Sequence, residues 1–349
     1  MRAYSPLVMW QVACTYVGTV IGAGFASGQE IVKFFSIFGI SGIWGTFAAG
    51  LLFAVLGGAI LKTVSNFGIK DYEEYIAFLF GTRKSRVING LITLFLFAGL
   101  AVMLVASGSL FSQLFACPGW VGFLITALVL YGILLLDLEG VLWVNMLLVP
   151  GLIVLCVGVA AASLVCYPKA PAAVGFEVNL VGNNWLLASV LYVAYNLVLG
   201  TVILSSLGHT AQRGGIRGVM AGGIILGILA AVLCMALFCQ GEPVIRQELP
   251  MLAIAQQISP WAGWAYSFVL WVAILTTALS NGFGLLKKFE NRVAWPKAVI
   301  AFGIFIPTFL LLGWRLAQAV AVIYPLLGYL GLIFLAALVV NIIKPQKYL

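Results

Sequence analysis

Apolar residues fall into long runs along this chain, and short polar stretches separate them. About 20 consecutive apolar residues cross the hydrocarbon core of a bilayer as a helix. Ten runs of roughly this length are predicted as helices, over residues 8–36, 41–64, 87–115, 119–136, 141–167, 185–207, 216–240, 261–286, 296–313 and 317–343. No long stretch alternates apolar with polar residues, as a membrane β-barrel requires. The pattern reads as an all-α membrane protein with ten transmembrane helices.

Two of the runs are interrupted. The first carries Gly18, Gly22, Gly24 and Gly28 within eleven residues, followed by Gln29 and Glu30. Glycine is a poor helix former. Inside a bilayer a broken helix survives only where it is buried or lines a cavity. The sixth run is broken in pattern by Asn196 and Gly200. Interrupted helices five spans apart fit two five-helix halves of inverted topology. The halves are predicted at 1–168 and 184–349, joined by an outer loop at 169–183, with helices 1 and 6 discontinuous.

Composition narrows the class. Of 349 residues 63% are hydrophobic and 8% charged, against about a quarter charged in a soluble protein. Mean hydropathy is +1.15. The net charge of +8 does not point to nucleic acid. With the N-terminus inside, fourteen of the 18 Lys and Arg face one side, the exceptions being Lys33, Lys169, Arg246 and Arg315. Cationic loops stay cytoplasmic, so both termini are expected there, in a multi-pass cell-membrane protein. The first run lacks an A-x-A site and continues into a full span, so no cleavable signal peptide is expected.

Other features are secondary. Residues 69–80 read as a short amphipathic helix on the inner surface. Residues 242–259 read as a partly helical outer loop, either dipping toward a vestibule or capping the surface. The six cysteines show no C-x-x-C spacing and there is one histidine, which leaves no ligand set for zinc. Cys117, Cys166 and Cys239 lie near outer helix ends, where two of them could pair. His209, at an inner helix end, reads as structural, and Asp137 and Glu139 as solvated. No P-loop motif for ATP occurs. The 10 acidic residues are scattered, which argues against an enzyme. Isolated polar residues rather than filter rings argue against a channel. No cofactor is expected, and no oligomeric state is assigned.

The chemistry concentrates at the first break. Between Val20 and Phe25 the outer half-helix would present N–H groups and the inner half carbonyls. The former suit an anionic group and the latter a cation. The alternative is that these glycines serve close helix packing. In the eighth run Thr276 and Thr277 are adjacent, with Ala273 one turn back. Their hydroxyls suit Na⁺ alongside carbonyls, or else bond their own helix. Glu30 has three readings. It pairs locally with Lys33, closes a gate with Arg246 or Arg315, or binds substrate or carries a proton.

The string GTVIGAG over 18–24 resembles the unwound first-helix motif of the leucine-transporter (LeuT) fold in the amino acid–polyamine–organocation superfamily. It is also similar to the opening of bacterial aromatic amino-acid permeases. The longer GTVIGAGFASGQE over 18–30 looks closest to the YkvI-like membrane proteins. The resemblance implies a secondary transporter moving a small amino-acid-like or related organic solute by alternating access, with Na⁺ as coupling ion. It implies a Na⁺ site at the carbonyls of Gly18, Ile21 and Ala273 and the hydroxyls of Thr276 and Thr277. The fifth span lacks the lysine that replaces this ion in proton-coupled relatives. It implies a solute site at Gly22, Ala23, Gly24, Phe25, Tyr192, Tyr195 and Asn196, with amides of Ala23 and Gly24 at the anionic group. Ser107 is the nearest substitute for a third-helix tyrosine missing here. Two alternatives remain: a proton-coupled transporter using Glu30, and a ligand-sensing receptor subunit on the same fold.

Overall fold

A computed structural model of the chain describes residues 4–135, 140–166, 180–290 and 292–343, with side chains from residue 149 to 165 in the second stretch. Asp137, Glu139, Lys169, most of the 169–183 loop and the Cys166 side chain lie outside the described residues. Every regular element among the described residues is helical.

Ser5 caps the first helix, its hydroxyl accepting from the Val8 amide, and Pro6 fills the first turn, a position where a missing N–H costs nothing. Helix α1 (Pro6–Val20) stops at Ile21, whose ψ of 89° leaves the helical region, and Gly22 is extended. Helix α2 (Ala23–Ser27) follows, then α3 (Gln29–Phe34). Gly28 between them has φ +89°, a left-handed conformation that only glycine adopts without strain. The first apolar run is thus three helical pieces.

The later elements follow the apolar runs closely. They are α4 (Ile40–Phe67), α5 (Tyr72–Phe115), α6 (Gly119–Leu135), α7 (Gly140–Cys166), α8 (Trp185–Ser206) and α9 (Gly215–Gln240). Then come α10 (Glu242–Ile245), α11 (Pro250–Ile258), α12 (Pro260–Glu290), α13 (Lys297–Phe305) with a 3₁₀ turn at Ile306–Leu311, and α14 (Leu316–Ile343). The expected amphipathic helix forms the start of α5 and turns at Gly81, φ +76° and ψ 160°, into the long apolar part. By length and composition α4, α5, α8, α9, α12 and α14 can each cross a membrane, while α6, residues 149–165 of α7 and residues 297–311 are shorter apolar helices.

One expectation is corrected. The sixth apolar run is not discontinuous: Trp185–Ser206 is a single helix. The Asn196 side chain donates to the Tyr192 carbonyl 3.0 Å away, one turn back in its own helix, so it supports the helix instead of opening it. A lone Gly200 costs only about 1 kcal/mol in a helix. The first run, with glycine recurring every two to four residues, has no such support.

Small residues let the helices close. A Cβ on Gly50 would stand 2.6 Å from the Gly227 Cα, so α4 and α9 touch backbone to backbone. Gly328 and Gly331 bring α14 equally near Leu191 and Ala194 of α8. Membrane helices associate through such stripes because lipid offers no hydrophobic drive between them. Large apolar side chains such as Leu128, Val154 and Leu310 cover the outer surface. The broken first run is buried in the middle: Ala23 and Phe25 are fully inaccessible.

Candidate functional site

The break places backbone polar groups where other helices reach them. The Ile21 carbonyl accepts from the Thr277 hydroxyl of α12 across 3.4 Å. The Ala23 amide, at the start of α2, has only the Met103 thioether of α5 as acceptor, at 3.4 Å. Sulfur is a weak acceptor on a flexible side chain. Tyr266 of α12 donates to the Ala26 carbonyl across 2.6 Å and stands 3.3 Å from the Cys156 thiol of α7. The short α2 is therefore held by α5, α7 and α12 together.

A cavity of about 100 Å³ opens beside the break, lined by Gly18, Ile21, Ala273 and Thr276 with Val149, Leu152 and other residues of α7 and α12. Four of the five residues expected to hold Na⁺ thus line this cavity, and the fifth, Thr277, is linked to it through its hydrogen bond to Ile21. The Thr276 hydroxyl donates to the Ala273 carbonyl in its own helix, 3.1 Å. The Thr277 hydroxyl instead crosses to α1.

On the other side of α2 lies Glu30. Its carboxyl occupies the space a side chain on Gly24 would need: a Cβ there would come within 2.8 Å of the Glu30 Cγ and closer still to Oε1. Glu30 is 2% exposed. The hydroxyls of Tyr195 and Tyr192 and the backbone of Phe25 are its polar neighbours, and Tyr324 of α14 stands near. Yet Oε2 of Glu30 and both phenol oxygens have no hydrogen-bond partner. The rings form a tight cluster. Phe34 lies 5.4 Å from Tyr192 and 5.8 Å from Tyr195 between centroids, and Tyr195 stacks on Tyr324 at 5.0 Å.

Gly22, Ala23, Gly24, Phe25, Tyr192 and Tyr195 therefore converge around the break and Glu30. Two other expected residues do not. The Ser107 hydroxyl donates to the Gly122 carbonyl, 3.1 Å, and bonds Thr126 of α6 at 2.5 Å, so it ties two helices together. Asn196 is turned into its own helix. With α8 unbroken, its backbone offers no opening at this level. The gate between Glu30 and an arginine is also absent. Arg246 pairs with Glu242, and Arg315 lines a separate vestibule of about 650 Å³ with Gln247, Glu248, Trp120 and Trp314. Cys117 and Cys239 are free thiols. Met103, Tyr266 and Tyr324 were not expected; nothing local in an apolar run marks them.

Polar contacts tie the elements together on two sides of the break. At one, Gln29 donates to the carbonyls of Gln247 and Glu248, at 2.5 and 3.2 Å, and the Glu248 carboxylate accepts from the Ala317 amide at 3.2 Å. Helix α11, within the 242–259 loop, buries Met251, Leu252 and Ala255. At the other, the buried Lys288 donates to the Asn89 carbonyl, 2.7 Å, and to the Thr93 hydroxyl, with Glu73 at 3.9 Å.

No family model matches the chain. It is 30% identical over 330 residues to the uncharacterized membrane protein YkvI of Bacillus subtilis (strain 168), covering 94% of each chain. It is 25% identical over 339 residues to the uncharacterized protein YyaD of the same organism, covering 95% of this chain and 97% of that one. Among solved structures, MhsT in complex with L-phenylalanine matches at a TM-score of 0.68 and 17% identity, over 99% of this chain and 91% of that one. Inward-facing Mhp1 matches at 0.63 and 15%, over 93% and 73%. A Na⁺-coupled sialic acid symporter matches at 0.62 and 13%, over 95% and 79%. At these identities the likeness is one of fold, and the fold is that of the LeuT type.

Proposed function

The chain belongs to the YkvI family of membrane proteins, and from that premise we propose that it is a secondary active transporter coupled to Na⁺. It moves a small amino-acid-like or related organic solute by alternating access. The observation that carries this reading is the interrupted first helix: Ile21 offers its carbonyl to Thr277 beside a small cavity bounded by Gly18, Ala273 and Thr276. Neutral carbonyl and hydroxyl oxygens are hard donors, which suit an alkali cation. The carbonyl end of α1 adds the negative end of a helix dipole.

The solute lies on the far side of the break. Its polar group replaces the Met103 sulfur at the Ala23 amide, and its body rests against Phe25, Tyr192 and Tyr195. Ten crossings are read here, in two inverted halves at 1–168 and 184–349, with both termini cytoplasmic. On that orientation Gln29 and Glu248 close the outer side, while Lys288 with Asn89 and Thr93 closes the inner side. Ile21–Gly22 and the left-handed Gly28 are the points at which α2 can tilt without unwinding a helix. A Na⁺ ion that binds one tilt better than the other shifts the populations by that difference in affinity.

The buried Glu30 favours a second reading, proton coupling, because an intramembrane carboxyl is costly and usually functional. Proteoliposomes given a labelled amino-acid mixture on the outside separate the two. Accumulation under an inward Na⁺ gradient, and not under an equal K⁺ gradient, supports Na⁺ coupling. Accumulation driven by a pH gradient alone, indifferent to Na⁺, transfers the role to Glu30.

A further inference from the structure

In the Glu30 cluster beside the break, three neighbouring polar atoms lack partners in good hydrogen-bond geometry. Oε2 of Glu30, the Tyr192 hydroxyl and the Tyr195 hydroxyl are all buried and unbonded. Buried polar atoms that serve only structure are almost always hydrogen-bonded. Such a cluster is built for something that arrives.

We propose that Glu30 is the counter-charge for an organic ammonium ion, so that the solute moved through this site is an amine. The inference rests on the reading that the solute binds beside the break, and it names the class. Three observations select that class. A carboxylate or phosphate here would bring only acceptor oxygens to Glu30, whereas an ammonium ion brings the proton donors and the positive charge that hold a buried carboxylate. The remaining neighbours are aromatic, a cluster of Phe34, Tyr192, Tyr195 and Tyr324. Ring faces attract a weakly hydrated organic cation, whereas Na⁺ requires a shell of oxygens. Finally, Gly24 supplies the room in which the carboxyl sits, since any Cβ there would displace it. In the closed arrangement the rings touch one another, so the amine enters as α2 and α3 move away from α8.

The test uses the purified full-length protein in nanodiscs. Its thermal stability is followed against a panel of primary and quaternary ammonium compounds. Each is matched with its neutral N-acetyl or amide counterpart and with the corresponding carboxylate. Bound ligand raises apparent stability in proportion to ln(1 + [L]/Kd). At least one ammonium compound is expected to stabilise the wild type while its neutral and anionic counterparts do not. Glu30→Gln should weaken that compound about 10- to 100-fold, the range of a lost charge-assisted hydrogen bond. Tyr195→Phe guards against a misfolded Glu30 variant. Its hydroxyl has no hydrogen-bond partner, so the melting temperature without ligand should stay put while ammonium affinity falls about threefold or more. The proposal is overturned if no ammonium compound stabilises the protein, if a neutral or anionic counterpart does so equally, or if both variants bind the ammonium ion as the wild type does. Na⁺-dependent stabilisation by the neutral or anionic set would leave the transport reading standing while removing this one.

Discussion

Tyr266 donates its phenol proton to the Ala26 carbonyl, 2.6 Å away, and so pins the five-residue helix α2 to α12 from the side opposite the break. Tyr266 is 2% exposed. Tyr266→Phe keeps the ring and strands the carbonyl. A buried acceptor left unpaired costs about 1–3 kcal/mol. The variant should melt lower by a matching amount, and a cysteine placed at Ser27 should react faster with a maleimide. Unchanged melting and unchanged labelling would mean that α2 is held by its other contacts alone.

Gly24 faces Glu30. A new Cβ would strike the Glu30 side chain and no backbone, so Gly24→Ala should fold. The carboxyl must swing out of its place between the tyrosines. Solute uptake should fall about tenfold or more, the cost of misplacing one charged contact, while melting changes little. Uptake at the wild-type rate would place the solute elsewhere.

Gly227 is a contrasting case, because it meets backbone rather than side chain. Its own Cβ would stand 2.8 Å from the Gly50 Cα. Neither helix can yield without parting from the other. Gly227→Val should destabilise by about 1–3 kcal/mol, as overpacking does, measured by thermal melting in detergent. Wild-type stability would show that α4 and α9 can separate freely.

Lys288 bridges α12 to α5 through the Asn89 carbonyl and the Thr93 hydroxyl. Lys288→Ala removes both links and leaves the far end of the site less firmly shut. A cysteine introduced at Asn89, which keeps the backbone carbonyl and the Thr93 hydroxyl, should then be labelled faster than one in the Lys288 background, when read by mass shift in intact vesicles. Equal rates would take Lys288 out of any closing role.

Much of this was legible in the chain, and the reasons differ by residue. Apolar run length located the helices because a bilayer fixes that length. The glycine spacing located the break between Val20 and Phe25, where the structure puts it at Ile21–Gly22, since four glycines in eleven residues leave the helix little support. The same reasoning failed at Asn196. A polar residue in an apolar helix can bond back to its own turn, and the sequence does not say which way it points. Ser107 failed similarly: its partners, Gly122 and Thr126, lie on another helix. Met103 and Tyr266 could not be singled out at all. Each looks like packing until the fold sets it against a backbone group of α2.

The account stands on Thr277 reaching the break, and ²²Na⁺ binding to purified protein measures that most directly. The wild type should bind ²²Na⁺ saturably, with cold Na⁺ but not K⁺ as competitor. Thr277→Ala, which removes the hydroxyl beside the Ile21 carbonyl, should weaken binding about tenfold or more, the order expected for one lost ligand to a charge, while Thr277→Ser, which keeps the hydroxyl, should bind as the wild type does. Saturable binding undiminished in Thr277→Ala, or no binding in the wild type above an empty-nanodisc control, would contradict it.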